Sequence, residues 1–341
     1  MGLVFRAVDR MTGATVALKV IVLHVAGAVE RFDREARMLA ALDHPGIVRY
    51  VAHGVANHQP WLAMEWLEGE ELAARLFREG LTQADALKII RLAAGAVGVA
   101  HQHGIVHRDL KPNNLFLLHG DSIRVKVLDF GIARASFGAR ALTMPGQVLG
   151  TPAYMAPEQA RGQTEVGPTA DVWSLGAVLY ECLAGRPPFV GDFPVAVLMK
   201  SLVDDPPPLT ELVPGTPPAL GDLVMHMLRR NPDERPTDAS AVARALFELR
   251  LDAEPSPIAI KPSVAPRAIT GAEQELIAVV LAMPDLEPRD TLITEPQPLP
   301  AAGDRALPGV QQLADGSSMI VLRGAGHATD LAARAARAAL D

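Results

Sequence analysis

Two short motifs in the middle of the chain carry side chains that could perform chemistry together. The first is the run from His107 to Asn114, HRDLKPNN, and the second is Asp129-Phe130-Gly131, whose aspartate lies twenty residues after Asp109. One carboxylate that accepts a proton and two oxygen ligands for a metal ion are what phosphoryl transfer from a nucleoside triphosphate requires. The spacing therefore predicts this reaction, with Asp109 as the base and with Asn114 and Asp129 as the metal ligands.

A third motif, Ala156-Pro157-Glu158, follows in the expected order. With all three in register, residues 1 to about 250 resemble the eukaryotic-like protein serine/threonine kinases of bacteria. The resemblance implies ATP and Mg²⁺ as cofactors, with Mn²⁺ as an alternative ion, and serine or threonine hydroxyls of proteins as acceptors. It also implies that Lys111 reaches the γ-phosphate, because serine/threonine kinases carry a lysine two residues after the base.

A second group of predicted site residues lies upstream. Residues 16–19, VALK, alternate like a strand and match the motif whose lysine pairs with the α and β phosphates. The resemblance places Ala17 and Lys19 against ATP. Glu35 lies in a segment with helical spacing and could turn toward Lys19 to form the ion pair of the active state. The alternative for such a pair is a solvated surface contact worth at most about 1 kcal/mol.

Residues 61–69, WLAMEWLEG, read as a buried strand that runs into a connector. By resemblance this connector is the hinge between two lobes. Backbone groups of Glu65 and Leu67 would bind adenine there, and Met64 would close the pocket behind it.

The start of the chain departs from the family pattern. The phosphate-covering loop, G-x-G-x-x-G-x-V, is represented by Gly2 and Val4 alone, which we expect to lie over ATP. Because the other site residues are kept together, we expect that a strand and two glycines are missing through truncation or a late start codon. The alternative is a protein that lacks this lid and binds nucleotide weakly.

Four residues are implied to be structural rather than catalytic. Asp171 would brace the catalytic loop from the start of a helix, and Arg235 would pair with Glu158 to position the substrate-docking segment. Arg108 needs a counter-charge, which a phosphorylated hydroxyl supplies in kinases that carry an arginine before the catalytic aspartate.

The segment between Asp129 and Glu158 offers three hydroxyls for regulation and substrate contact. Thr143 is the first candidate for autophosphorylation, and Ser136 is the second. Thr151 is reserved for contact with the substrate near Asp109.

Composition restricts the remaining classes of partner and location. The 341 residues carry a net charge of −7 with a pI near 5.8 and no Lys/Arg stripe, so no nucleic-acid partner is indicated. No apolar run approaches the roughly 20 residues that span a bilayer, and no secretory signal is visible. The single cysteine, Cys182, excludes an internal disulfide and is interpreted as a packed core thiol. These features predict a soluble, cytoplasmic protein.

The predicted fold class is α+β, a two-lobed protein kinase fold with a small β-rich lobe containing one helix and a larger helical lobe. The kinase domain would span residues 1–251, divided at residue 66, followed by a Pro-rich linker over 252–272 and a partial module over 273–341. Helical periodicity predicts four helices in the large lobe: 83–103, 171–185, 219–229 and 238–250.

In the module, the pattern indicates a strand over 275–283, a strand or hairpin over 311–322 and a helix over 328–340. This order weakly resembles part of a class III nucleotide cyclase domain. A degenerate sensory or docking module is the alternative interpretation, and it leaves open a homodimer or an intramolecular contact through this part.

Three functions therefore compete. The leading hypothesis is a non-specific serine/threonine protein kinase that acts in bacterial signalling and is activated by autophosphorylation. The second is a pseudokinase scaffold that binds partners with little phosphotransfer, because the glycine loop is incomplete. A nucleotide cyclase is a third and weaker hypothesis.

Overall fold

The computed structural model describes residues 2–21, 28–56, 59–120, 122–130, 152–163 and 165–249, and three strands nearer the C-terminus. The chain divides into two units, Met1–Ala265 and Pro266–Asp341. In the described part, no helix has the length and apolar content needed to cross a membrane.

The first part of unit one is an antiparallel sheet with one helix. In chain order its elements are β1 (Gly2–Val8), β2 (Thr15–Ile21), α1 (Ala28–Ala40), β3 (Tyr50–Ala56) and β4 (Gln59–Glu65). The strands are arranged in the order β1-β2-β4-β3. A small core lies between α1 and the sheet; its buried side chains are Ile21, Phe32, Ala36, Leu62 and Met64. The predicted small lobe of short strands and one helix is confirmed.

The segment between α1 and β3 packs into the core of the large lobe. Leu42 and Ile47 are buried in that core rather than in the core of the sheet. The Val48 N–H donates to the Val127 carbonyl at 3.0 Å, and the Val127 N–H donates to the Gly46 carbonyl at 2.8 Å. Residues 42–48 are therefore fixed to the large lobe, although they precede the hinge in sequence.

The large lobe is mainly helical and follows the hinge. Its elements are β5 (Gly69–Glu71), α2 (Leu72–Arg78), α3 (Gln83–Gln102), β6 (Leu115–Leu118), β7 (Val125–Val127), α4 (Pro157–Ala160), α5 (Pro168–Ala184), α6 (Pro194–Val203), α7 (Leu209–Leu212), α8 (Pro218–Met227) and α9 (Ala239–Glu248). Helix α5 is buried along nearly its whole length and forms the centre of the core. It ends at Gly185, whose φ of +70° suits glycine better than other residues.

Sequence periodicity located the long helices of this lobe within a few residues. The predicted segments 83–103, 171–185, 219–229 and 238–250 correspond to α3, α5, α8 and α9. Side chains close the first turns of two of them, because Thr82 accepts the Asp85 N–H and Asp238 accepts the Ala241 N–H. The shorter α2 and the Pro-started α6 were not predicted.

Unit two contains three described strands: β8 (Leu276–Ala282), β9 (Val310–Gln312) and β10 (Ser318–Gly324). They form an antiparallel sheet in the order β8-β10-β9. The strand expected over 275–283 is present, and the segment expected over 311–322 as a strand or hairpin is a pair of strands. The helix expected over 328–340 lies outside the described residues.

Candidate active site

The hairpin formed by β6 and β7 brings the two predicted metal ligands together. Asn114 immediately precedes β6 and Asp129 follows β7 by two residues, and the ladder pairs Leu115 with Val127. The Leu128 N–H extends this pairing by donating to the Asn114 carbonyl at 2.9 Å. Residues separated by fifteen positions in sequence are thus neighbours at one end of a hairpin.

Asp109 lies beside Asn114 and Lys111. The Asn114 amide nitrogen donates to the Asp109 carbonyl at 2.7 Å and lies 3.3 Å from Asp109 Oδ2. Lys111 Nζ donates to the same Oδ2 at 3.0 Å. The predicted base, the predicted γ-phosphate lysine and one predicted metal ligand therefore form a single hydrogen-bonded group.

Lys19 enters the site from the small lobe. It lies in the middle of β2, directly opposite Val4 on β1, and its Nζ lies 2.7 Å from Asp129 Oδ1. Ala17 precedes it by two residues and faces the same side, opposite Met64 on β4. Four of the residues predicted to contact ATP, Val4, Ala17, Lys19 and Met64, thus share one face of the sheet.

Glu35 lies in the second half of α1, between the buried side chains of Phe32 and Ala36. It is half-buried. Its ion pair with Lys19 stays a prediction.

A buried carboxylate fixes the catalytic loop. Asp171, on the first turns of α5, accepts the N–H groups of His107 at 2.7 Å and Arg108 at 2.8 Å, and the ring N–H of His101 at 2.9 Å. Arg108 has a φ of +62°, a conformation that costs a non-glycine residue about 1 kcal/mol or more. The two backbone hydrogen bonds from His107 and Arg108 hold the loop in this conformation, and the His101 contact ties Asp171 to α3.

His107 connects the catalytic loop with the Asp129 segment, a role that the sequence did not reveal. Its Nε2 donates to the Leu128 carbonyl at 2.7 Å, while its Nδ1 accepts the Asp109 N–H at 3.3 Å. Its ring also lies 4.7 Å from the ring of Phe130. Asp129 itself has a φ of +52°, so both loops that carry acidic site residues adopt strained conformations, supported by this histidine.

The predicted substrate-docking segment is anchored by a buried ion pair. Arg235 donates from both terminal nitrogens to Glu158, at 2.8 and 2.9 Å, and both residues are almost fully buried. The same guanidinium also donates to the carbonyls of Arg229, Arg230 and Thr169. Because every polar atom of the arginine head has a partner, the pair can position α4 without an unpaired buried charge.

Two more contacts fix this segment. The Tyr154 hydroxyl donates to Glu181 Oε2 on α5 at 2.6 Å, and burial raises the pKa of both groups. The Gln159 side-chain amide donates to the Arg108 carbonyl at 2.9 Å. The docking segment is therefore tied both to the core helix and to the catalytic loop.

Lys126 of the large lobe contacts the segment predicted to be the hinge. Lys126 on β7 contacts Glu65 Oε1 at 2.5 Å and the Ile47 carbonyl at 3.0 Å. The Glu65 N–H donates to the Arg49 carbonyl at 2.9 Å. A contact between Glu65 and adenine would therefore have to use its carbonyl oxygen.

A cavity of about 20 Å³ adjoins Met64, the residue predicted to close the adenine pocket. Its lining comes from both lobes: Leu39, Val48, Tyr50, Leu62, Met64, Asp129 and Phe130.

The donor set fits a hard divalent cation. Asp129 supplies a carboxylate that is 36% exposed, and the orientation of the Asn114 amide nitrogen toward Asp109 turns its amide oxygen away from that residue. In the described part of the chain, no three Asp, Glu, His or Cys side chains converge on one point. Mg²⁺ is commonly held by one or two protein oxygens plus substrate phosphates rather than by an all-protein cage, and this arrangement suits such an ion.

Several predicted residues lie where the structure gives no description. Ser136, Thr143 and Thr151 all fall within residues 131–151, outside the described ranges.

Gly2 is the first residue of β1 and lies opposite Ile21, two positions from Val4. Leu67 lies in the connector that follows β4 and is half-buried.

Comparison with known proteins agrees with this geometry. The family model for the protein kinase domain matches residues 1–247. The serine/threonine-protein kinase PknB of Mycolicibacterium smegmatis is 38% identical over 276 residues, which is 79% of this chain and 42% of that protein. PknA of Mycobacterium tuberculosis is 38% identical over 264 residues, covering 75% of this chain and 60% of that protein. The chain thus spans about half the length of these relatives.

Solved structures show the same fold. The crystal structure of the Mycobacterium tuberculosis PknI kinase domain superimposes with a TM-score of 0.59 at 29% identity, covering 73% of this chain and 91% of that one. The family match ends at residue 247, so the likeness of the C-terminal part to a nucleotide cyclase stays a prediction.

Proposed function

Since the chain belongs to the protein kinase domain family, we propose that it transfers the γ-phosphoryl group of ATP to serine and threonine hydroxyls of proteins. One observation supports this activity most strongly. Asp109 and Asn114 from one loop, Asp129 from the segment after β7 and Lys19 from β2 come from three separate segments, yet successive contacts of 2.7 to 3.3 Å connect their side chains or adjoining backbone.

We assign the proton transfer to Asp109, which would accept the proton of the attacking hydroxyl. Lys111 Nζ lies 3.0 Å from Asp109 Oδ2. Its charge would stabilise the transferred phosphoryl group while the lysine keeps this contact with the base. Lys19 would move from Asp129 to the α and β phosphates when nucleotide binds. Asn114 and Asp129 would hold Mg²⁺, which when bound neutralises the phosphate charge that develops during transfer.

Acceptor specificity and regulation remain proposals of the same kind. We propose that protein substrates dock along residues 150–158, and that Thr143, or Ser136 in second place, carries the activating phosphate that neutralises Arg108. Phosphosite mapping with a Thr143→Ala variant tests the second proposal.

Substitution of the base tests the activity itself. The Asp109→Asn variant keeps the size and an acceptor oxygen of the side chain but removes the base, so the rate of phosphate transfer from labelled ATP to a generic protein acceptor should fall about 10²- to 10⁴-fold. Asp222→Asn, on the exposed side of α8, is the matched control and should retain full activity. A wild-type chain that binds ATP but transfers no phosphate would instead support a scaffold.

A further inference from the structure

An irregularity in β3 places two polar side chains on the same face of the small-lobe sheet. Residues three apart in a regular strand face opposite sides. Between Tyr50 and Ala52, however, the pairing with β4 shifts by one residue, so Tyr50 lies opposite Met64 and His53 lies opposite Leu62. Met64 and Leu62 are two apart and share a face, and therefore Tyr50 and His53 share it too.

These side chains form a continuous set of hydrogen bonds that ends on α1. The Tyr50 hydroxyl lies 2.5 Å from His53 Nδ1, and His53 Nε2 lies 2.9 Å from Asp33 Oδ1. Arg37, one turn further along α1, contacts the other oxygen of Asp33 at 2.7 Å. We name the first three residues, Tyr50, His53 and Asp33, the α1–β3 bridge.

The bridge fixes the roles of the two histidine nitrogens. Because a carboxylate only accepts, Nε2 carries the proton and donates to Asp33. In the neutral ring Nδ1 then accepts from the Tyr50 hydroxyl, and burial raises the pKa of that hydroxyl. The ring is 16% exposed, and the edge of Phe32 packs on it at 5.9 Å between centroids. His53 is thus fixed in position and orientation by three neighbours.

One end of the bridge lines a cavity at the candidate active site, and the other end lies on the helix that carries Glu35. Asp33 precedes Glu35 by two residues on the same helix. Tyr50 lines the small cavity together with Asp129 and Phe130. A displacement of α1 relative to β3 would have to break the His53 contact with Asp33.

We propose that His53 is a positioning residue, which holds α1, and with it Glu35, at the location on the sheet that the reaction requires. The inference about Glu35 rests on the proposed kinase function. The inference about α1 does not, because it depends only on the hydrogen bonds of the bridge.

Hydrogen exchange of backbone amides in the full chain tests the proposal without reference to activity. In His53→Ala, amides in the second half of α1 should exchange about 5- to 30-fold faster, while amides in α3 should keep their rates. His53→Gln retains a side-chain N–H near Asp33 and should restore part of the protection. Unchanged α1 exchange in a folded His53→Ala variant would overturn the proposal.

Gentler variants keep the test informative if His53→Ala folds poorly. Tyr50→Phe leaves the ring in the cavity and removes only the hydroxyl, and Asp33→Asn removes only the charge. Each should speed α1 exchange about 2- to 12-fold, and neither should add to the effect of His53→Ala. Tyr180→Phe is the matched control, because its hydroxyl donates to the Pro207 carbonyl in the large lobe. Additive effects of the bridge variants would contradict a shared role through His53.

Steady-state kinetics then separates positioning from general stability. For Tyr50→Phe and His53→Gln, kcat should fall about three- to tenfold while KM for ATP changes less than about twofold, because misplaced groups cost most in the transition state. Loss of α1 protection with unchanged kcat would overturn the link to Glu35. If the wild-type chain transfers no phosphate, the proposed function fails, and the exchange data still decide whether the bridge holds α1.

Discussion

The two lobes hold their predicted catalytic residues in different ways. In the large lobe, Asp109 and Asn114 lie on a loop whose backbone is fixed by the buried Asp171 carboxylate, above a core that extends through α5. In the small lobe, Lys19 and Glu35 depend on a core of five buried side chains. The predicted base and metal ligands therefore lie in the lobe with the larger core, whereas the residues predicted to orient phosphates lie in the lobe with the smaller core.

The largest expected effect is in the large lobe, at the buried ion pair. Arg235→Met should lower the free energy of unfolding by about 3–5 kcal/mol, because Glu158 would remain as a buried carboxylate without its cation. Urea denaturation measures this change. Arg229→Met, at an exposed position, is the control and should cost less than about 0.5 kcal/mol. Similar costs for the two variants would contradict the rigid anchoring of the docking segment.

Two glycines on α3 sharpen the account of large-lobe packing. A Cβ on Gly98 would lie 2.3 Å from Ser240 Oγ and 2.9 Å from Ser240 N, so Gly98→Ala should force α9 away and cost about 1–3 kcal/mol. A Cβ on Gly95 meets nothing within 4 Å, so Gly95→Ala should stabilise the helix by about 0.5–1 kcal/mol. Thermal unfolding should show that Gly98→Ala lowers the stability and that Gly95→Ala raises it, although the two positions are only one turn apart. A stable Gly98→Ala would show that the α3–α9 contact is loose.

Matched isoleucine truncations compare the lobes directly. Ile21→Val and Ile90→Val remove the same methylene from buried sites, each at a cost of about 0.5–1.5 kcal/mol. We expect the Ile90 variant to lower global stability in urea. The Ile21 variant should act locally, speeding amide exchange in β2 and β4 but not in α3. Exchange that rises equally in both lobes after Ile21→Val would show that they open as one unit.

The smallest expected effect lies on β5, at Glu70. Hydrogen bonds from Arg78, together with those from Arg75, lower the pKa of Glu70 to about 2. A lowered folded-state pKa means that the carboxylate stabilises the fold fully above the unfolded value of 4.5 and loses this contribution as the pH falls toward 2. Because Arg78 is 55% exposed, we expect at most about 1 kcal/mol.

The measurement compares wild type with Glu70→Gln. The difference in free energy of unfolding should be present at about pH 6 and should shrink between about pH 4.5 and pH 2. A difference that stays constant over this range would show that the contacts of Glu70 do not depend on its charge.

The catalytic motifs could be predicted from sequence because their chemistry is local. Asp109, Lys111 and Asn114 lie within a run of six residues. The backbone bond between Leu128 and Asn114 brings the Asp129 segment beside this run. The pairing of Glu158 with Arg235 and the bracing by Asp171 came from the family resemblance, and the geometry agrees with both.

Features that depend on tertiary contacts were missed. The partner of His107 is a backbone carbonyl twenty-one residues away, and nothing in the motif identifies it. The contacts of His53 require a shift in strand pairing, which leaves no pattern in the residue types around Tyr50. Helix α6 begins at a proline and is apolar on more than one side, so its periodicity is weak.

The anchoring of residues 42–48 to the large lobe has a mechanical consequence. The backbone bonds between Val48, Gly46 and Val127 pin the chain just beyond the C-terminal end of α1, two residues before Asp129. Any rocking of the sheet against the large lobe would therefore pivot near this end of the helix, and the displacement would grow with distance from it. An opening between the lobes would then be smallest beside Asp129, the predicted metal ligand, and largest at the N-terminal end of α1.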